Sequence, residues 1–388
     1  MKSRVLCTVL LLALLSLVFP YQVCADEISV DARGAVLMDA GSGSVLFEQD
    51  AHERLYPASV TKIMTVLIAM ECLENGQISL DDQVVISRNA AGMGGSQIYM
   101  EPDEVKTVEQ LLKAVVVASG NDASVALAEH IAGTEGAFVQ LMNQRAEELG
   151  MKNTNFTNPH GLHDENHYTS AYDIALMSRE LVKHGKVFDW STIWMEDIQV
   201  GREGRFSTFT MVNTNKLIRR YEGADGLKTG STDAAKYCLS ATAARGNMRL
   251  VAVLMACPTS EVRFREAEKL LDFGFTKYNS VSIASKEDVI DRLKVNKGIE
   301  RSVNVKPGED LKVLVEKGQE GSLEKEIILL PDITAPVAEG DKVGEIIVRR
   351  EGEMVGIVDL VTGKSIEKAG LLTILKRVLF DWAAPAKN

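Results

Sequence analysis

Strand-like runs stand at the two ends of a long helical stretch in this chain, and that separation limits the sheets it can build. Ala35 to Met38 and Ser44 to Phe47 flank Asp39-Ala40-Gly41-Ser42-Gly43, whose glycines tolerate the positive φ of a tight turn, so the pair predicts a hairpin. Gly226 to Gly230, Lys236 to Ala243 and Met248 to Ala256 read as three later strands, with Arg245-Gly246-Asn247 turning the last pair. Between the two groups, Ser59 to Leu73 is apolar on nearly every face, which predicts a helix buried in the middle of a domain with Ser59 in its first turn. Val108 to Ala118 reads as a second helix stopping at Ser119-Gly120-Asn121, and Asp122 as the cap of a third running to about Ile131. An α+β fold follows: an antiparallel sheet closed by both ends of the domain, with a helical subdomain between them.

At 388 residues the chain is too long for one average domain. From about Val281 to Gly363 short apolar runs (Leu311 to Val315, Ile327 to Leu330, Val343 to Val348, Val355 to Val361) are broken by Gly and Pro and predict a small all-β domain. Expected boundaries are therefore 26–277 for the first domain and 278–363 for the second. The last stretch, 364–388, places Leu371, Ile374, Leu375, Val378, Leu379 and Trp382 on one face of a C-terminal amphipathic helix. Residues 363–388 carry five basic and two acidic side chains on a chain of net charge −11, which favours an anionic membrane surface with the helix lying in the interface. Lys376 and Arg377 interrupt the apolar run and argue against spanning. A helix packed on its own β domain is the alternative.

Lys2 and Arg4 precede an apolar run from Val5 to Phe19, and Val23-Cys24-Ala25 offers a small-residue cleavage site, so residues 1–25 read as a signal peptide. The run is short of the ~20 residues an uncleaved spanning anchor needs. Cleavage takes the net charge from −11 to −13 by removing Lys2 and Arg4, which speaks against nucleic acid as a partner. Cys72, Cys238 and Cys257 remain, an odd number in apolar surroundings, and read as buried thiols and not as a disulfide framework or nucleophiles. His160, His163 and His167 share one loop, but no second cluster completes a metal site, so neither metal nor cofactor is expected.

Ser59-Val60-Thr61-Lys62, Ser119-Gly120-Asn121 and Lys228-Thr229-Gly230 follow in that order, and together they suit serine acyl transfer. Singly they are weak: Ser-x-x-Lys recurs at Ser322 to Lys325 and Ser365 to Lys368, and Ser-x-Asn at Ser87 to Asn89 and Ser302 to Asn304. A serine hydroxyl needs a base within about 3 Å, and Lys62 lies one turn along from Ser59. That lysine must be neutral, so its pKa must fall from the usual ~10.4 through burial or a neighbouring cation such as Lys228. Ser119 is placed to relay a proton toward a leaving amine and Asn121 to hold a substrate amide. Lys228 and Thr229 suit a substrate carboxylate, and Gly230 lets a substrate backbone approach the strand. The backbone amides of Ser59 and Ser231 are the candidate oxyanion hole. All of these roles require three distant segments to meet.

These motifs, with Asn158-Pro159-His160-Gly161-Leu162, Tyr168-Thr169-Ser170-Ala171-Tyr172-Asp173 and the extended Asp225-Gly226-Leu227 before Lys228, resemble the low-molecular-weight penicillin-binding proteins, serine-type D-alanyl-D-alanine carboxypeptidases. The likeness covers almost the whole chain, since signal peptide, β domain and tail follow the same layout. It implies a β-lactamase/transpeptidase-like catalytic domain in which Ser59 forms an acyl-enzyme, Lys62 acts as base and D-alanine leaves a peptidoglycan stem peptide. It further implies covalent inhibition by β-lactams, residence on the outer face of the cytoplasmic membrane, and help with the carboxylate from Arg265, which could equally pair with Glu268. A class A β-lactamase is the first competing reading, but its middle motif is usually Ser-Asp-Asn, and Asp164-Glu165-Asn166 lacks the spacing of its deacylating glutamate. A non-catalytic wall-binding or penicillin-sensing protein that keeps the fold is the second: intact Ser59, Lys62 and Lys228 speak against a mere binder, while a sensor that acylates without turnover needs the same residues.

Overall fold

The computed structural model describes residues 28–202, 204–373 and Leu375. The proposed signal peptide and the amphipathic run beyond Leu375 lie outside them.

Both ends of the first region build one sheet. Strands β1 (Gly34–Asp39) and β2 (Val45–Gln49) form the expected hairpin. Two small antiparallel pairs follow along the chain, β3 (Gln83–Val85) with β4 (Val105–Thr107) and the hairpin of β5 (Met195–Val200) with β6 (Ser207–Val212). Neither was anticipated: the strands of the first are three residues long, and in the second only Ile198, Val200 and Met211 of the alternating residues are buried, so its apolar pattern is thin. Strands β7 (Ala224–Thr232), β8 (Lys236–Arg245) and β9 (Met248–Cys257) then join the first hairpin in the order β2-β1-β9-β8-β7, antiparallel throughout. The contact that closes the sheet pairs Val36 with Val253.

The helical middle packs on this sheet. Helix α1 (Lys62–Glu74) is buried at every position from Lys62 to Met70, as its unbroken apolar character requires. Burying side chains such as Ile63, Met64 and Leu67 stabilises by about 1.5–3 kcal/mol each, which offsets the cost of carrying Lys62 inside. Helices α2 (Val108–Val116), α3 (Asn121–Ala132), α4 (Glu135–Glu148) and α5 (Ala171–Leu181) surround it, and α6 (Ser260–Lys277) covers the other side of β8 and β9. Two expectations are corrected here. Ser59 is not in the α-helix: Ala58–Thr61 form a separate 3-10 turn that feeds α1 at Lys62. Asp122 does not cap α3, because Gly120 is the cap and the Asp122 carboxylate turns inward to accept from the amides of Ile98 and Met100.

The C-terminal region is all-β with its own core. Strands β10 (Tyr278–Ala284), β11 (Asp291–Asn296), β12 (Ser302–Pro307), β13 (Leu311–Glu316), β14 (Leu323–Leu329), β15 (Ile333–Thr334), β16 (Lys342–Arg350) and β17 (Glu353–Thr362) bury Val305, Val313, Ile346, Val348, Val358 and Leu360 among others. The chain stays in this fold past Gly363: Ile366 is buried in the same core and bridges Val337, and Ala369 is buried as well. The tail counted from residue 364 therefore starts later. Beyond that point Leu371, Leu372 and Leu375 are exposed. No helix among the described residues is long and apolar enough to cross a membrane.

Candidate active site

The 3-10 turn at Ala58–Thr61 sets the first distance of the site. Side chains at i and i+3 eclipse in this tighter winding, so Ser59 and Lys62 stack one above the other. Lys62 Nζ lies 3.1 Å from Ser59 Oγ. The lysine is fully buried while Ser59 is half-buried, so the hydroxyl sits at the boundary between interior and solvent.

Two further oxygens surround the amine. Lys62 Nζ donates to Asn121 Oδ1 over 2.6 Å and to the carbonyl of His160 over 2.7 Å. Asn121 cannot turn its amide round, because its Nδ2 donates to Gly94 O at 2.7 Å and so fixes Oδ1 toward the lysine. A neutral amine has two N–H donors and one lone pair, and both carbonyl-type partners accept only. In the neutral form those two bonds use both N–H groups and leave the lone pair toward Ser59 Oγ, whereas in the ammonium form the third N–H donates to that oxygen. Burial first, and the charge of Lys228 second, hold Lys62 well below the usual lysine range, against a weaker opposite pull from Asp122.

The second motif is held by its own backbone. Ser119 is buried with φ of 61°, in the left-handed region, and leads through Gly120 into Asn121 at the start of α3. A Cβ at position 120 would lie 2.9 Å from Asp122 Oδ1 and would push that carboxylate off the amides it accepts from. The third motif lies on β7 against the nucleophile turn: a Cβ on Gly230 would stand 2.7 Å from Pro57 O and 3.0 Å from Ser59 N. Lys228 and Lys62 both line one small cavity of about 10 Å³. The three segments therefore meet. Lys228 is buried, donates to Thr229 O over 3.2 Å, and is pushed down to about 7 by burial and then by Arg263. Thr229 Oγ1 lies 2.6 Å from Thr214 Oγ1, and Ser231 is exposed on the same strand.

The family model for D-alanyl-D-alanine carboxypeptidases matches residues 21–259 of this sequence. The chain belongs to that family. A second family model, the C-terminal domain of penicillin-binding protein 5, matches residues 278–368. The D-alanyl-D-alanine carboxypeptidase DacF of Bacillus subtilis is 42% identical over 358 residues, 92% of this chain and 91% of the relative. DacC of Escherichia coli is 35% identical, covering 88% and 86%. The crystal structure of penicillin-binding protein 5 from Haemophilus influenzae superposes with a TM-score of 0.72 at 31% identity, covering 89% of this chain and all of that one. The present carboxypeptidase is thus serine-type, in a penicillin-binding-protein fold.

One expected site residue of this carboxypeptidase is misplaced. Arg265 is 63% exposed on α6 and pairs with Glu266 at 2.6 Å, while Glu268 pairs with Arg220. The cation that reaches the third motif is Arg263, buried, whose Nη1 donates to Gly230 O at 3.0 Å and Cys238 O at 3.3 Å. Helical spacing carried that signal, since Arg263 stands four residues before buried Ala267 and seven before Leu270, whereas Arg265 lies off that stripe. The roles of the His160 carbonyl and of Gly94 left no mark in the sequence, because backbone groups do not depend on residue type.

The three loop histidines are separately engaged. His160 Nδ1 accepts from Leu162 N, His163 packs edge-on against Tyr56, and His167 Nδ1 accepts from Thr157 N. Among the described residues no group of three metal-capable side chains is present. Burial pushes the thiols of Cys238 and Cys257 up to about 11 and about 12, which disfavours a thiolate nucleophile.

Proposed function

We propose that this carboxypeptidase removes the C-terminal D-alanine from peptidoglycan stem pentapeptides through an acyl-enzyme on Ser59, and so acts in cell-wall biogenesis and remodelling. The observation that carries the reading is the amine of Lys62, with two acceptor-only oxygens on it and Ser59 Oγ as its third neighbour. Its lone pair takes the hydroxyl proton as Ser59 Oγ attacks the carbonyl of the penultimate D-alanine. The backbone amides of Ser59 and Ser231 receive the oxyanion. The carbon–nitrogen bond then breaks as Ser119 gives its proton to the leaving amine and takes the one held by Lys62, and water releases the acyl group with the neutral Lys62 again as base. Asn121 holds the substrate amide as well as Lys62, while Lys228 and Thr229 face the terminal carboxylate.

β-Lactams would acylate the same serine and act as covalent inhibitors. Penicillin-binding protein D2 of Listeria monocytogenes, solved in its ampicillin-bound form, is 29% identical with a TM-score of 0.56, covering 64% of this chain. In the same reading residues 1–25 export the protein, 26–277 form the catalytic domain, and the C-terminal tail rests peripherally on the outer face of the cytoplasmic membrane. Separate cores centred on α1 and on β16 support the division into domains.

The deciding experiment measures D-alanine release from a pentapeptide together with time-resolved mass of a penicillin adduct, in the native protein and in Ser59→Ala. Release and a transient adduct in the native protein, both absent in the variant, are expected. Labelling that persists in Ser59→Ala removes Ser59 from the role, and an adduct without any release points to a sensor.

A further inference from the structure

Thr61 stands inside the first motif, yet the chemistry above does not use it. Its hydroxyl donates to the carbonyl of Ala58 over 2.8 Å and lies 2.8 Å from His167 Nε2, with all three residues buried. The other ring nitrogen, Nδ1, accepts from the backbone amide of Thr157 at 3.0 Å. An amide can only donate, so the neutral ring carries its proton on Nε2, aimed at Thr61 Oγ1. Thr61 has one hydroxyl proton, and with its oxygen receiving from His167 that proton goes to Ala58. The direction of the chain from Thr157 through His167 and Thr61 to Ala58 is thus set at its backbone end.

Ala58 is where a constraint is needed. Its φ of 48° is left-handed, a conformation that a residue with a Cβ adopts only when its surroundings enforce it. It directly precedes Ser59, so relaxing it would swing the 3-10 turn that aligns Ser59 with Lys62. The Ala58 carbonyl is hemmed in from another side by Gly161, where a Cβ would lie 1.9 Å from Ala58 O. The loop that carries Gly161 also gives the His160 carbonyl to Lys62.

We propose that Thr61 and His167 are positioning residues for acyl transfer: their hydrogen-bonded chain locks the left-handed turn at Ala58 and keeps Ser59 Oγ within reach of Lys62 Nζ. This role rests on Ser59 being the acyl acceptor. Both residues act through the Ala58 carbonyl and not by contact with substrate. Burial pushes the His167 imidazole down to about 4, so the ring keeps one donor and one acceptor at neutral pH.

The test compares Thr61→Val with Thr61→Ser and His167→Leu with His167→Gln, since serine keeps the hydroxyl and the glutamine amide keeps one donor and one acceptor. Acylation by a fluorescent penicillin is resolved into its binding constant and its maximal acylation rate, with near-UV circular dichroism recorded on each protein. Thr61→Val and His167→Leu should lose on the order of 10- to 100-fold in maximal acylation rate with the binding constant little changed. Thr61→Ser and His167→Gln should regain most of it. Native-like spectra with wild-type rates in the Val and Leu variants overturn the proposal, as does a Gln variant that falls as far as the Leu one. If the Val variant does not fold, the Leu-against-Gln comparison decides alone. Ser59→Ala, run alongside, separates this outcome from failure of the Ser59 assignment, because only the latter leaves labelling intact in that variant.

Discussion

Arg263 donates Nη1–H to the carbonyl of Gly230 over 3.0 Å, which sets a buried guanidinium behind the strand that carries Lys228. Burial and this second cation leave Lys228 with a pKa of about 7, so its charge is partly lost at neutral pH. In the proposed function it is the protonated Lys228 that attracts the terminal carboxylate. The kcat/KM for a free-carboxylate peptide should therefore decline as pH rises through about 7, and an amidated analogue should lack that limb. Arg263→Met removes the neighbouring charge and should move the limb upward. Profiles from about pH 5 to about pH 9 give the answer. A limb that stays in place in Arg263→Met breaks the link between the two cations.

Asn121→Asp tests the neutral state of Lys62. It puts a carboxylate where Oδ1 now lies, 2.6 Å from Nζ, and favours the ammonium form. Acylation near pH 7 should fall by on the order of 10- to 100-fold and recover at higher pH, since the limb set by Lys62 moves up. A uniform loss across the pH range would assign Asn121 to substrate binding alone.

His167 makes folding stability depend on pH in a calculable direction. Its folded value of about 4 lies below the unfolded 6.5, with Asp164, His160, His163 and Lys62 as the charged or titratable groups around it. Between those values the unfolded chain binds a proton that the folded chain refuses. The stability contribution is complete above about 6.5 and is lost as pH falls toward 4, with a slope of at most about 1.4 kcal/mol per pH unit. Urea denaturation of native and His167→Gln proteins between about pH 4.5 and about pH 7.5 should show the steeper dependence in the native one. Parallel curves would place the pH dependence elsewhere.

Truncation after Gly370 keeps Ile366 and Ala369 in the β core while removing the proposed membrane contact. Lys376, Arg377 and Lys387 against Asp381 leave the removed piece cationic. The truncated protein should keep near-normal activity on small peptides. The full-length mature protein should bind anionic vesicles, more weakly as salt rises but with an apolar remainder. Equal partitioning of the two proteins would reduce the tail to a packing element.

What was legible from residue order alone was short-range. The apolar continuity of Ile63 to Met70 announced a buried helix, the three-residue step from Ser59 to Lys62 announced a stacked pair, and the distant strand runs announced a sheet closed by both ends of the first domain. Each depends on the short repeat of a local backbone, 3.6 residues in the α-helix, three in the 3-10 turn and two in the strands, which the sequence displays directly. Contacts made across the fold were decided by packing. Lys62 meets Asn121 across 59 positions and the His160 carbonyl across 98, and only the closure of α1, α3 and the Asn158–Leu162 loop on one another creates those distances. The choice of Arg263 over Arg265 and the inward turn of Asp122 belong to the same class. A side chain's charge is written in the sequence, but whether it faces water or a buried carbonyl depends on which surfaces the collapsed chain brings against it.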